Sequence, residues 1–361
     1  MADKIIVFFE DIDTDRDRIS AALKKEFKDK NVTIHDFKPN EENDKAGRNN
    51  SYEERLINYL NKSNLGEIEL FIADMDLSKT ESYTGLSETV VSKVSDRLSV
   101  PMCLYARGRG SNDLKKILKW TDYKIILDIA DDTTKFAREC RIIYDGFQKI
   151  KNRFRQMEIR KVHSPAEILA KILNKPDLQD RIALYGSGDK HMLADILPYF
   201  RDNQNVGIKK RIPRLLGYWL WDSILRYPGV VVNETAAASY LNIQPKDFEK
   251  KEIRKLFKEA MYDGPFSSIR PMWWRSDLDK LLANARCKDG FEFTQKKGKN
   301  VRQCRCSVDS KTKAGYYCMV TEQPVCEVHS RGNISWFPAG ADLARIKEKE
   351  FNKLAPWIGL Y

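Results

Sequence analysis

Long apolar runs are missing from this chain. No stretch approaches the roughly 20 apolar residues that a membrane-crossing helix needs, so no membrane partner is expected. The opening MADKIIVFFEDID does not read as a signal peptide: its apolar core, IIVFF, is too short and acids follow at once. The expected setting is the cytoplasm. No GK[ST] ending accompanies the GxG in YGSGD (185–189), and that segment follows a helix rather than a strand. A C-cap glycine followed by an Asp N-cap explains it better than a phosphate loop. His163 and His191 have no partner that the sequence identifies. No nucleophile and base can be paired, so no catalysis is expected.

What is present suits a globular protein of two or three domains. The 361 residues are 42% hydrophobic and 32% charged. Net charge is +11 and unevenly placed: residues 1–130 balance to −3 and the remainder to +14. A polyanion contact is therefore expected in the rear, although scattered surface lysine gives the same sum. Cysteine is uneven too. Cys103 and Cys140 lie alone in apolar contexts, whereas Cys287, Cys304, Cys306, Cys318 and Cys326 crowd one segment. In a cytosolic chain such crowding indicates a metal site more often than disulfides.

In the front, apolar runs alternate with helical patterns. KIIVFF, VTIHDF, IELFIAD (68–74), VPMCLYA (100–106) and YKIILDI (123–129) read as strands. DRISAALKKEF, YEERLINYLNKS, LSETVVSKVSDRL and LKKILKW (114–120) read as the helices between them, and another follows from Thr133. This alternation predicts an α/β domain with a doubly wound, parallel, five-stranded flavodoxin-like sheet over residues 1–150, its function at the carboxyl ends of the strands. Glu10 and Asp11 end strand one, Asp74 ends strand three and Tyr105 ends strand four.

Those residues resemble the receiver domain of response regulators. The resemblance implies that Glu10, Asp11 and Asp74 bind Mg²⁺ and that Asp74 accepts a phosphoryl group. Two departures stand against use of that chemistry. Tyr105 replaces the Ser or Thr that would bond the phosphoryl oxygens, and its bulk would fill their space. No Lys follows strand five: Asp128 stands near the expected place and would repel a dianion, and Lys124 lies at the strand's wrong end. The expectation is a degenerate, phosphorylation-independent module that serves partner docking or self-dimerisation, with weak Mg²⁺ binding at most. An unrelated flavodoxin-like sheet, with acids at its ends by chance, stays open.

Residues 151–226 read as a helical connector, entered by a helix with Phe136, Ile142, Ile143, Phe147 and Ile150 on one stripe. SPAEILAKIL opens with Ser164 at the N-cap, Pro165 at N1 and Glu167 at N3. RGRGSND (107–113) reads as a flexible loop whose arginines could meet an anion.

Over 227–284, Asn233 can cap ETAAASYL, and NIQPKDF reads as a turn. EKKEIRKLFKEA turns Ile253, Leu256 and Phe257 inward, and GPFSSIRPMWW suggests a small hairpin before a helix capped by Ser276. This pattern resembles the winged helix-turn-helix of excisionase-like and MerR-like DNA binders, with a longer turn. The resemblance implies contacts to nucleic acid, chiefly double-stranded DNA, through Lys246, Lys250, Lys251, Arg254, Lys255, Lys258, Arg270 and Arg275. Protein contact, with the lysines as a solvated face, is the plain alternative.

Residues 285–361 form a Cys-rich module. Cys304-x-Cys306, Cys318 and Cys326-x₂-His329 suit tetrahedral Zn²⁺, although paired C-x₂-C spacing is lacking. A structural zinc would supply folding energy to a segment with little core. Glu322 and Glu327 are the acids that a catalytic zinc would draw on, and buried free cysteines are the alternative. The whole reads as a non-enzymatic signalling or regulatory protein that binds nucleic acid. The alternatives are an adaptor subunit using both folds for protein contacts, and a phospho-regulated transcription factor.

Overall fold

The computed structural model describes residues 4–38, 50–63, 65–77, 85–106, 125–129, 132–158, 162, 164–186 and 208–358. The loop expected at 107–113, the helix at 114–120, Lys124, His163, His191 and most of YGSGD lie outside the described residues. The chain divides into two units. One holds Met1–Asp113, Thr121–Gln156 and Gln204–Tyr218; the other holds Leu114–Trp120, Met157–Asn203 and Trp219–Tyr361.

In the first unit, β1 (Lys4–Phe9), α1 (Asp13–Glu26), β2 (Val32–Asp36), α2 (Tyr52–Lys62), β3 (Glu67–Asp74), α3 (Glu88–Leu98), β4 (Met102–Ala106), β5 (Ile125–Asp128) and α4 (Thr133–Arg155) follow in order. The five strands form one all-parallel sheet in the order β2-β1-β3-β4-β5, the order of a flavodoxin-like core. The interior strands β1, β3 and β4 are nearly continuous apolar runs because both their faces are covered. Edge strand β5 alternates buried and exposed residues. On one face Val7, Phe9, Phe71, Ala73 and Leu104 pack with Leu56 and Leu60 of α2 and Val90, Val91 and Val94 of α3.

Local chemistry sets where these helices begin. Ser51 and Glu54 form a reciprocal capping box at α2, Ser87 accepts the Val90 amide at α3, and Asp132 accepts the Lys135 amide at α4. The expected stripe on α4 buries Phe136, Ile143, Phe147 and Ile150, with Ile142 half-buried. That helix runs on to Arg155, past the boundary expected at 150. Lys151 there pairs at 2.8 Å with the buried Glu69 of β3, which offsets the cost of burying that carboxylate.

In the second unit, α5 (Pro165–Ile172) starts as the sequence suggests, with Ser164 accepting the Glu167 amide and Pro165 in the first turn. α6 (Gln179–Ala183) follows. Next come β6 (Val231–Asn233), α7 (Glu234–Tyr240), α8 (Pro245–Phe248), α9 (Lys251–Leu256), β7 (Met272–Trp274), α10 (Arg275–Asn284) and α11 (Gly290–Lys296). The chain then forms β8 (Tyr316–Cys318), β9 (Pro324–Val325), β10 (Ser330–Arg331), β11 (Ala344–Lys347) and α12 (Glu348–Ile358). The last four strands make a second sheet in the order β10-β11-β8-β9.

Asn233 caps α7 through the Ala236 amide, as its sequence suggests. The segment expected as a turn, NIQPKDF, instead contains α8, because Pro245 sits at N1, where its missing N–H costs nothing. The hairpin expected within GPFSSIRPMWW does not form: the segment holds a short 3-10 turn, Ser267–Ile269, then β7, which pairs antiparallel with β6, and Met261 adds a single antiparallel bridge to Trp273. Ser276 does not cap the closing helix. α10 begins at Arg275, so Ser276 lies inside it, and Trp274 at the N-cap has no oxygen to offer.

The alanines of α7 let its backbone approach closely. One core cluster joins Ala236, Ala237, Leu241, Ile253, Phe257, Trp273 and Leu278 with Phe293, Val301, Tyr317 and Leu343. That core is continuous across position 284, where a domain boundary was expected. The Cys-rich segment therefore packs on the helical one rather than standing apart.

Candidate functional site

Three places carry the chemistry expected from the sequence: the carboxyl ends of the parallel sheet, the basic helices, and the cysteine cluster.

At the sheet, β1 delivers Glu10, which is buried, and β4 delivers Tyr105. The Tyr105 hydroxyl donates to Glu10 Oε2 at 2.7 Å, and the Ile12 amide donates to Oε1 at 3.0 Å. Both Glu10 oxygens are therefore engaged from within the unit. The Tyr105 ring is fixed edge-on by Phe136, with centroids 5.0 Å apart. Burial raises the Glu10 pKa; the hydrogen bonds from Tyr105 and Ile12 oppose this, and the nearby charge of Asp74 and a hydrogen bond with Asp11 add to the rise. Asp74 Oδ1 accepts the Asp76 amide at 2.9 Å, in a local turn at the end of β3. Glu10, Asp11 and Asp74 thus stand at neighbouring strand ends, with Asp11 hydrogen-bonded to Glu10 and the charge of Asp74 felt there.

On the basic helices, Lys246, Lys250, Lys251, Lys255 and Lys258 are exposed, while Ile253 and Phe257 are buried and Leu256 is half-buried. Lys250 leans at 2.9 Å on the buried Asp247. Arg254 pairs with Glu234. Arg275 is held at 2.6 Å by Asp342 and lies over the Tyr240 ring. Arg270 donates to the Leu225 carbonyl at 2.9 Å. The expected cations therefore divide into exposed lysines, of which Lys250 is paired with Asp247, and three arginines already bonded inside the unit. Asp247 also accepts from the Arg302 amide at 2.9 Å and Nε at 3.0 Å, and the Arg302 guanidinium holds its carboxyl well below the usual range.

Among the described residues, Cys306, Cys326 and His329 form the one group of three metal-ligating side chains, with ligand atoms all within 4.8 Å of one another. His329 Nδ1 lies 3.1 Å from Cys326 Sγ and 3.9 Å from Cys306 Sγ. Burial pushes the Cys306 thiol up, but the amides of Asp309, Val308 and Cys326 outweigh it and bring it down to about 7. The Cys326 thiol is raised, by burial and by its neighbour Cys306. Beside Cys306, Asp309 is held below the usual carboxyl range by the Thr312 hydroxyl and the Lys311 amide, with His329 adding a smaller electrostatic pull.

Two of the five expected ligands stand outside this group. Cys304 is buried, its amide donates to the Asn242 carbonyl at 3.2 Å, and burial pushes its thiol up to about 12. It behaves as a small core residue. Cys318 Sγ accepts the amides of Thr321 at 3.5 Å and Lys347 at 3.4 Å at the end of β8. Sequence proximity grouped these thiols; burial beside Ser239 of α7 sets Cys304 apart, and the amides of Thr321 and Lys347 hold Cys318.

No family model, curated protein or solved structure matches the chain. No helix among the described residues is long and apolar enough to cross a membrane.

Proposed function

We propose that the chain is a non-enzymatic regulatory protein whose second unit binds nucleic acid through the lysine row of α8 and α9, and whose first unit is a receiver-like docking module. The lysine row carries this reading. Lys246 stands on α8 and Lys251 and Lys255 on α9, with Lys250 and Lys258 just beyond the two ends of α9, and Phe248, Ile253 and Phe257 are buried beneath them. Those helices follow β6 and α7 in the chain and precede β7, which pairs antiparallel with β6, an order similar to that of a winged helix. Lysines so placed supply phosphate contacts, hence affinity with little base discrimination. Zinc at Cys306, Cys326 and His329 has a structural part in this reading, since thiolates and imidazole suit it.

The bonded state of Arg254, Arg270 and Arg275 favours a second reading, in which the same face contacts a protein and the chain is an adaptor. Phosphorylation at Asp74 is the least supported, because Tyr105 is bonded across the place where the phosphoryl oxygens would lie. The deciding experiment is binding of the full chain to a random duplex across a salt series. A steep loss of affinity with salt supports the nucleic-acid reading. Absence of binding at low salt gives the adaptor reading its place.

A further inference from the structure

The cysteine group holds three ligands, whereas a structural zinc takes four. The two turns that supply those ligands are alike in sequence. Cys306-Ser307-Val308-Asp309 and Cys326-Glu327-Val328-His329 both read Cys-x-Val followed by a residue able to bind a metal.

They are alike in structure as well. In the first turn the Val308 amide donates to Cys306 Sγ at 3.5 Å, and the Asp309 amide also bonds that sulfur. In the second, the amides of Val328 and His329 bond Cys326 Sγ. Each sulfur thus sits under the N–H groups two and three residues on. Each valine points outward: Val308 is 54% exposed and Val328 is 82% exposed. Nothing in core packing explains two exposed valines at matched places, but a tight turn around a sulfur does. It forces the third residue out and leaves the first and fourth to one side. In the second turn that fourth residue is His329, already within the ligand group.

We propose that Asp309 is the fourth ligand, so that Cys306, Asp309, Cys326 and His329 close a two-thiolate, imidazole and carboxylate site for a divalent ion of the zinc type. This rests on the metal reading of the cysteine group given above. The carboxylate is already oriented by its neighbours. Its Oδ1 accepts the Lys311 amide at 3.0 Å and its Oδ2 accepts the Thr312 hydroxyl at 2.6 Å. Support of this sort is what metal-ligating carboxylates characteristically have. Antiparallel pairing of Arg305 with Lys313, and donation from the Cys306 amide to the Thr312 carbonyl at 2.9 Å, tie the ends of that turn together. The carboxylate stands outside the three-atom group, so ligation requires it to share or exchange one of its present bonds. A site closed by four protein ligands holds structure and leaves no position for substrate.

The test uses the full chain loaded with Co²⁺, with the sulfur ligands counted by X-ray absorption and affinity measured by competition. Wild type should show two sulfurs. D309C should show three, with added sulfur-to-cobalt charge-transfer absorption. D309N keeps an acceptor for the Lys311 amide but loses the charge, and should bind more weakly, on the order of tenfold or more. A sulfur count that stays at two in D309C, or an affinity unmoved in D309N, overturns the assignment of Asp309 and leaves the three-residue metal site standing. Wild type that takes up neither Co²⁺ nor Zn²⁺ overturns both.

Discussion

The Tyr105 hydroxyl lies 2.7 Å from Glu10 Oε2, joining the ends of two parallel strands with the intervening strand β3 between them. A phenol that donates to a buried carboxylate engages that carboxylate from inside the protein. Because burial raises the Glu10 pKa, its contribution to stability is fully present below the ordinary carboxyl value and is lost as pH rises through the raised one. Glu10→Gln should therefore gain on wild type as pH rises from about 4 towards about 8. Urea unfolding at a series of pH values checks this; a gap that does not change with pH would sink it.

Asp247 has the opposite sign. Its pKa is depressed by Arg302, so its stabilisation is present above the ordinary Asp value and is lost as pH falls through the depressed one. It accepts from the Arg302 amide and side chain and from Lys250. Asp247→Asn should cost about 1–3 kcal/mol at neutral pH, with the deficit shrinking in acid. Thermal unfolding at neutral and acid pH measures both.

For the lysine row, replacing Lys246, Lys251, Lys255 and Lys258 with alanine should flatten the salt dependence of duplex binding. The log–log slope should fall by about 0.9 for each lysine that meets a phosphate. These side chains are exposed, so the melting temperature should hardly move. An unchanged slope would place any nucleic-acid contact elsewhere.

Metal removal should separate the cysteines. Cys326→Ser should abolish metal uptake, whereas Cys304→Ser should leave the stoichiometry intact while lowering stability through its buried hydroxyl. A chelator should lower the melting temperature of wild type and not that of Cys326→Ser. Equal loss of metal in both variants would return Cys304 to the ligand set.

Much of the first unit is legible in the sequence because parallel strands announce themselves. KIIVFF and IELFIAD are apolar on both faces, and that alone implies a sheet covered twice. Caps such as Ser164 and Asn233 are equally legible, since their bonds reach only three residues along. What the sequence conceals depends on distant partners. Ser276 has the residue type of a cap, but β7 runs directly into its helix and takes that position. The five clustered cysteines cannot be sorted by spacing, because the surroundings of Cys304 and Cys318 are set by distant partners, Ser239 of α7 for the one and pairing with β11 for the other. Paired C-x₂-C spacing is also too narrow a signature for this site. Allowing Asp or His at the fourth position aligns Cys306–Asp309 with Cys326–His329 from the residues alone.

The strand order has a consequence for how the chain emerges from the ribosome. β1 lies inside the sheet, between β2 and β3, yet it is made first. Its partner on one side, β2, begins at Val32, but the other, β3, begins only at Glu67. At about 5–20 residues per second, one edge of KIIVFF waits for several seconds without its neighbour. During that interval an apolar strand with unsatisfied amides is the segment most open to chaperones and to pairing with another nascent copy.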